Sequence, residues 1–170
     1  MKNLLIIVAL TSRIAAQAQK AFTPTRSFAI SGEVKTPATI QIADLKKWKM
    51  VDIGPVTITN HLGEKKSEYK SMKGVLLKDV LSTVEFNAEA PKVLSEYYIV
   101  CKANDNYTVV FSWNELFNTA TGNTAYIVTE RDGKAIEQMD DAILLISSKD
   151  FKTGRRHVKS LSSIQVRRAK

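Results

Sequence analysis

Cysteine is nearly absent from this chain of 170 residues, since Cys101 is the only one. A single cysteine cannot form an intramolecular disulfide, so a hydrophobic core must stabilise the fold. Cys101 lies in the alternating run "YYIVCKA", where Tyr97, Ile99 and Cys101 point to one side of a predicted strand. A reactive thiol needs cations beside it, and the adjacent Lys102 points to the other side. We therefore predict that Cys101 is a small core residue.

Residues that bind metals or nucleotides are also scarce. The sequence has two histidines, His61 and His157, and lacks a glycine-rich phosphate loop, His-Glu-x-x-His, Cys-x-x-Cys and Gly-x-Ser-x-Gly. The neighbours of these histidines show no metal-ligand spacing. Four aspartates lie in predicted turns, where their side chains would cap the local backbone: Asp105, Asp132, Asp140 and Asp141. The sequence thus predicts no catalytic residue and no metal ligand.

Long apolar runs are missing, and none approaches the roughly 18 residues of a membrane-spanning helix. The apolar run "LLIIVAL" at residues 4–10 follows Lys2 and precedes the small-x-small sequence Ala16-Gln17-Ala18. This pattern predicts a signal peptide at residues 1–18, a mature domain at residues 19–170 and a periplasmic or secreted protein. Because Arg13 interrupts the segment, an amphipathic N-terminal helix is the alternative.

Positive charge is concentrated near the C-terminus of a chain whose net charge is +8. Residues 149–170, "KDFKTGRRHVKSLSSIQVRRAK", contain eight cations and one carboxylate. Nucleic-acid binding usually combines such charge with stacking aromatic residues or a long basic helix, and neither is present, so we expect no nucleic-acid partner. Arg155, Arg156 and Lys159 after a glycine better suit one phosphate group; a solvated basic loop is the alternative. Arg167 and Arg168 are expected to lie beyond the last strand.

Hydrophobic periodicity predicts a β-rich α+β fold, with mixed sheets and short helices. Alternating runs predict strands at residues 28–34 and 38–42, a hairpin at 56–69, a strand pair around the turn tripeptide at 104–106 and a hairpin around Asp132-Gly133. Ser112 and Glu115 have the spacing of a capping box. One helical face is predicted near residue 80, formed by Leu76, Leu77, Val80, Leu81 and Val84. The absence of long helices between strands argues against a doubly wound parallel sheet.

The order of several motifs resembles that of a known family. These are "FAISGEVKTPATIQIADL", "VTIT", "MKGVLLKDVL", "NDNYTVVFSWNEL", "AYIVTERDGKAI" and "AILLISSKDFKTGRRHVKSLSSIQV", spanning residues 27–167. In this order they resemble the molybdopterin-binding domain of sulfite oxidase and its bacterial oxidoreductase relatives. The resemblance implies one mixed α+β domain that, in the enzymes, holds a molybdenum–pterin cofactor whose phosphate is bound by cationic side chains. It places Arg155, Arg156 and Lys159 in the segment that contributes to phosphate binding.

The chain departs from this family at the metal ligand. In the enzymes a cysteine ends a "V-T-L-T-C" strand, whereas here the strand reads "VTITN", with Asn60 at the thiolate position and His61 after it. Amide groups are poor substitutes for thiolate at a soft metal site. We therefore expect an exported, non-catalytic binding domain for a pterin, such as molybdopterin, or another phosphorylated small molecule. The predicted ligand contacts are Asn60, His61, Arg155, Arg156 and Lys159.

Two alternatives remain open from the sequence. One is a molybdopterin-dependent oxidoreductase, or a subunit of one, with altered metal ligation. The other is a protein-interaction module that uses a strand edge or the basic C-terminal segment and needs no small-molecule ligand.

Overall fold

A computed structural model describes residues 22–169. The predicted signal peptide, residues 1–18, lies outside the described residues. The two α-helices of the described part are α1 (Leu77–Leu81) and α2 (Trp113–Phe117). The strands are β1 (Ser27–Gly32), β2 (Ala38–Gln41), β3 (Val51–Asp52), β4 (Val56–Thr59), β5 (Lys65–Tyr69), β6 (Met72–Leu76), β7 (Tyr97–Ala103), β8 (Thr108–Ser112), β9 (Ala125–Arg131), β10 (Lys134–Ala135), β11 (Leu144–Ser147), β12 (His157–Val158) and β13 (Leu161–Arg168). Single 3-10 turns and short 3-10 helices connect them at Ile42–Lys47, Pro91–Glu96, Ala120–Asn123, Ile136–Gln138 and Thr153–Arg156.

One sheet has five strands in the order β2-β1-β13-β7-β8. β1 pairs with β13 in parallel, with Ile30 opposite Ile164, and the other pairs in this sheet are antiparallel. Alternate residues of β7 are buried, and the side chain of Cys101 is fully buried among them. The predicted core position of Cys101 is therefore confirmed.

The second sheet has the order β12-β11-β9-β6-β3, and the short β10 pairs with β9. β4 and β5 form a separate antiparallel hairpin. Buried side chains from both sheets form one hydrophobic core, to which α1 contributes Leu77, Val80 and Leu81, and α2 contributes Leu116. The mixed sheets and the short helices make this an α+β fold, as the sequence predicts.

Several local predictions are confirmed. The Ser112 hydroxyl accepts a hydrogen bond from the backbone N–H of Glu115 at 3.0 Å, and the Glu115 carboxylate accepts one from the N–H of Ser112 at 2.8 Å. This is the predicted capping box. Asp132 and Gly133 connect β9 to β10 with positive φ angles of 50° and 78°, as a tight hairpin turn requires.

Arg167 and Arg168 correct one prediction, because both belong to β13 rather than to a segment beyond it. They pair across the sheet with Tyr98 and Tyr97. The guanidinium of Arg168 also forms ion pairs with Glu89 at 2.9 Å and Glu96 at 2.7 Å. Two consecutive arginines at the end of a sequence suggest a frayed terminus. Here the strand continues to residue 168 because it pairs with β7, which lies far away in the chain.

Within residues 22–169, no helix is long and apolar enough to cross a membrane. The two α-helices have five residues each, far fewer than the roughly 20 residues that a membrane-spanning helix needs.

Candidate functional site: two clefts that meet at Lys159

The turn at residues 153–156 lies against the end of the β4 strand. The hydroxyl of Thr153 accepts a hydrogen bond from the N–H of Thr59 at 3.0 Å and donates one to the carbonyl of Thr57 at 2.7 Å. The carbonyl oxygen of Thr59 occupies the space where a Cβ on Gly154 would lie. The structure therefore brings the predicted phosphate-binding segment next to Asn60, the residue that follows β4.

Arg156 is held by an extensive set of contacts. Its guanidinium binds the carboxylate of Asp150 through two hydrogen bonds of 2.7 Å and that of Glu115 through one of 2.9 Å. It also lies over the ring of Phe111, 4.4 Å from the ring centroid. Burial alone would raise the pKa of Asp150, but hydrogen bonds from Arg156 and Ser147 hold that pKa below its ordinary value. Arg156 thus fixes the turn in place, and its role as a phosphate contact stays a prediction.

Lys159 lies beside a small cleft of about 220 Å³. The cleft is lined by Phe22, Asp105, Tyr107, His157 and Lys159. The ammonium of Lys159 lies 4.6 Å from the ring centroid of Phe22. The hydroxyl of Tyr107 donates a hydrogen bond of 2.8 Å to the carbonyl of Arg155, whose side chain is exposed. Arg155 and Lys159 are therefore neighbours of the same cleft.

A second cleft, of about 390 Å³, is also lined by Lys159. Its central group is the carboxylate of Asp141, which binds Arg131 at 2.9 Å and Lys159 at 3.3 Å. Arg131 also lies over the ring of Tyr69, 4.9 Å from the centroid. Burial would raise the pKa of Asp141, but the cations lower it below its ordinary value. The carboxylate of Asp141 thus binds two cations.

Asp141 and Asp132 correct the prediction that these aspartates only cap their own turns. The carboxylate of Asp141 is buried in the ion pair, and its Oδ1 has no hydrogen-bond partner among the described residues. The carboxylate of Asp132 accepts the backbone N–H groups of Lys70 and Ser71, in the turn between β5 and β6. Sequence reasoning missed Arg131 and Tyr69 entirely, because neither belongs to a recognisable motif.

Asn60 and His61 lie in the turn of the β4–β5 hairpin and line neither cleft. The side-chain oxygen of Asn60 accepts hydrogen bonds from the N–H groups of Leu62 and Glu64, at 2.9 and 3.0 Å. Its amide nitrogen donates to the Glu64 carboxylate at 2.7 Å. The imidazole of His61 is exposed. Asn60 therefore uses its amide to form the turn.

The one cysteine of this chain is buried in the core and does not suit a molybdenum site. Burial raises the pKa of the Cys101 thiol to about 12, so it is not a thiolate at neutral pH. Within residues 22–169, no three His, Cys, Asp or Glu side chains are grouped to hold a metal ion.

His157 is expected to make the free energy of unfolding depend on pH. Burial, together with the charge of Lys159, lowers the pKa of His157 to about 4. In the unfolded chain a histidine binds its proton at about pH 6.5. Acidification through this interval therefore favours unfolding. We expect the free energy of unfolding to fall by about 2 kcal/mol between pH 7 and pH 4.5.

Urea denaturation across this pH range tests the expectation. His157→Gln should remove most of the decrease, whereas His61→Gln should keep it, because its imidazole is exposed and His157 stays in place. A decrease of the same size in His157→Gln would show that other groups cause it. The carboxylates of Asp141 and Asp150, whose pKa values are lowered, lose most of their stabilising contribution below about pH 4.

No protein family model matches this chain, and no curated protein matches it. Among solved structures, the fold is similar to the crystal structure of the sulfane dehydrogenase SoxCD from Paracoccus pantotrophus, with a TM-score of 0.49 and 12% sequence identity. The similarity covers 82% of this chain and 37% of that chain. This chain therefore spans well under half of the length of the SoxCD chain.

Proposed function

We propose that this chain is an exported, non-catalytic domain that binds a small anionic ligand in the two clefts that meet at Lys159. The ligand class is a pterin or another phosphorylated small molecule. Export rests on the signal-peptide pattern of residues 1–18, and the pterin class rests on the order of motifs that resembles the sulfite oxidase molybdopterin-binding domain. The proposal that the ligand is anionic is supported by the ion pairs of the larger cleft.

The observation that supports an anionic ligand is the sharing of one carboxylate by two cations. Asp141 holds Arg131 at the shorter distance, 2.9 Å, and Lys159 at 3.3 Å. The other acids of the larger cleft are already engaged, since Asp132 accepts two backbone N–H groups and Glu68 binds Lys65 at 2.6 Å. The ammonium of Lys159 carries three N–H donors, and its ion pair with Asp141 is the longer of the two, so an anion in the larger cleft can form a strong charge-assisted hydrogen bond with it.

The shape of the site suits a flat ring that bears an anionic group. Phe22 and Tyr107 line the smaller cleft, and Tyr69 lines the larger one. Arg155, whose carbonyl accepts the hydrogen bond of Tyr107, is an exposed cation beside the smaller cleft. Ligand sites usually combine such apolar walls with a few polar groups that fix orientation.

Calorimetric titration of the exported protein with inorganic pyrophosphate and with 6-carboxypterin tests the proposal. Both are expected to bind, and Lys159→Gln should weaken binding by about tenfold or more, because one charge-assisted hydrogen bond is lost. Lys46→Gln is the matched control, since Lys46 is an exposed lysine on the 3-10 helix Ile42–Lys47. Thermal unfolding of each variant checks that the fold is retained.

Absence of binding for both probes at millimolar concentration would overturn the proposal, as would equal affinities of the wild type and Lys159→Gln. Pterin and molybdenum content should also be measured on protein made in a host that synthesises molybdopterin. Pterin without molybdenum would support the binding function. Stoichiometric molybdenum with pterin would overturn its non-catalytic part and favour the oxidoreductase alternative.

A further inference from the structure

A separate apolar groove of about 380 Å³ lies between α1, α2 and the segment that precedes β7. Its walls include Phe86, Leu94, Trp113 and Phe117, and its charged lining residues are Glu85 and Glu89. None of its lining residues belongs to the two clefts at Lys159. The groove is therefore a second potential site, with different chemistry.

The aromatic side chains of the groove form a continuous group. The rings of Trp113 and Phe117 are stacked, with centroids 5.2 Å apart and an interplanar angle of 22°. Phe86 meets Phe117 edge-on, at 90° and a centroid distance of 6.2 Å. All three are only partly buried. The faces of aromatic rings attract cations, and tryptophan does so most strongly.

The charged residues that line the groove are both acidic, unlike the basic chain as a whole. The net charge of the chain is +8, yet no lysine or arginine lines the groove. Glu85 pairs with Lys35 at 2.7 Å, and Glu89 pairs with Arg168 at 2.9 Å. The side chains of both glutamates are largely exposed. The pair of Glu85 with Lys35 is exposed on both sides, and Arg168 keeps its ion pair with Glu96 when Glu89 binds another cation, so a cationic ligand can compete for these carboxylates.

From the aromatic walls and the two carboxylates we infer that the groove binds an organic cation: an ammonium group attached to an apolar or aromatic body. The apolar body packs against Leu94 and the rings, and the ammonium lies toward Glu85 and Glu89. The volume falls within the range of small-molecule sites. This inference does not depend on the proposed function of the clefts at Lys159.

Trp113 provides an intrinsic probe of the groove. The chain has two tryptophans, Trp48 and Trp113, so Trp48→Phe leaves Trp113 as the sole source of tryptophan emission. Titration with benzyltrimethylammonium should change this emission and reach saturation, whereas benzenesulfonate, an anion with the same ring, should leave it unchanged. Calorimetry on the wild type with the same two probes gives the affinities without any substitution.

Removal of the carboxylates tests the charge preference. The double variant Glu85→Gln/Glu89→Gln should bind benzyltrimethylammonium about tenfold more weakly. Glu130→Gln should bind like the wild type, because Glu130 is on β9 and pairs with Lys73. Equal binding of cation and anion, or no binding of the cation at millimolar concentration, would overturn the inference. A Trp113 emission that changes with protein concentration, together with dimers in sedimentation velocity, would also overturn it by showing that a second copy covers the groove.

Discussion

Replacing Arg156 with alanine is expected to lower the free energy of unfolding by about 3 kcal/mol. The side chains of Arg156 and Asp150 are only 19% and 17% exposed, so the substitution leaves a carboxylate with little solvation and no cation. It also removes the contact between the guanidinium and the ring of Phe111. Loss of one partner of such a pair costs far more than loss of an exposed pair.

The adjacent Arg155 is the matched control. Its side chain is exposed, and its contact with Tyr107 is made by the backbone carbonyl, so Arg155→Ala should change the free energy of unfolding by less than about 0.5 kcal/mol. Urea denaturation at pH 7 measures both variants. Similar values for the two would contradict the structural role given to Arg156, and a further Asp150→Asn change should recover part of the loss in Arg156→Ala.

Gly154→Ala is expected to cost about 2 to 3 kcal/mol, because its new Cβ would meet the backbone carbonyl of Thr59. A backbone atom cannot move aside as the end of a flexible side chain can. The turn at 153–156 would have to separate from β4, which would weaken the hydrogen bonds of Thr153 to Thr57 and Thr59. We therefore also expect weaker binding of pyrophosphate in the clefts at Lys159.

Gly63→Ala separates this steric effect from the effect of backbone conformation. Gly63 has a φ of +94° and no atom near its missing Cβ, so alanine there should cost about 1 kcal/mol through the unfavourable φ alone. Denaturation curves for both variants give the comparison. If Gly154→Ala proved no worse than Gly63→Ala, the close approach of the turn to β4 would not be important for stability.

Local signals in the sequence predicted local structure well. The Ser112 capping box, the turn at Asp132-Gly133 and the alternating burial of β7 each depend on residues within a few positions of one another. Such patterns result from backbone hydrogen bonding and from the two-residue repeat of a strand. The sequence does not predict β6, because this strand leads directly into α1 and Leu76 fits the helical spacing of the residues that follow.

The site could be predicted only in part, because its contacts join distant segments. The motif at residues 154–159 indicated that three cations belong together, but the structure gives each a different role. Arg156 binds Asp150 and Glu115, Arg155 is exposed, and Lys159 shares Asp141 with Arg131. Charge spacing along the chain does not specify which carboxylate each cation meets, since that is decided by the pairing of the sheets.

The central position of β13 has a consequence for how the chain acquires its structure. β13 is the last strand of the described chain, yet it lies between β1 and β7 in the middle of the five-stranded sheet. Its pairing of Ile164 with Ile30 closes a very long loop, whose entropy must be lost before the strand contacts compensate for it. Until residues 161–168 pair with them, the neighbouring edges of β1 and β7 lack their partner. Partly folded states of the chain therefore expose two open strand edges, at which aggregation is expected to begin.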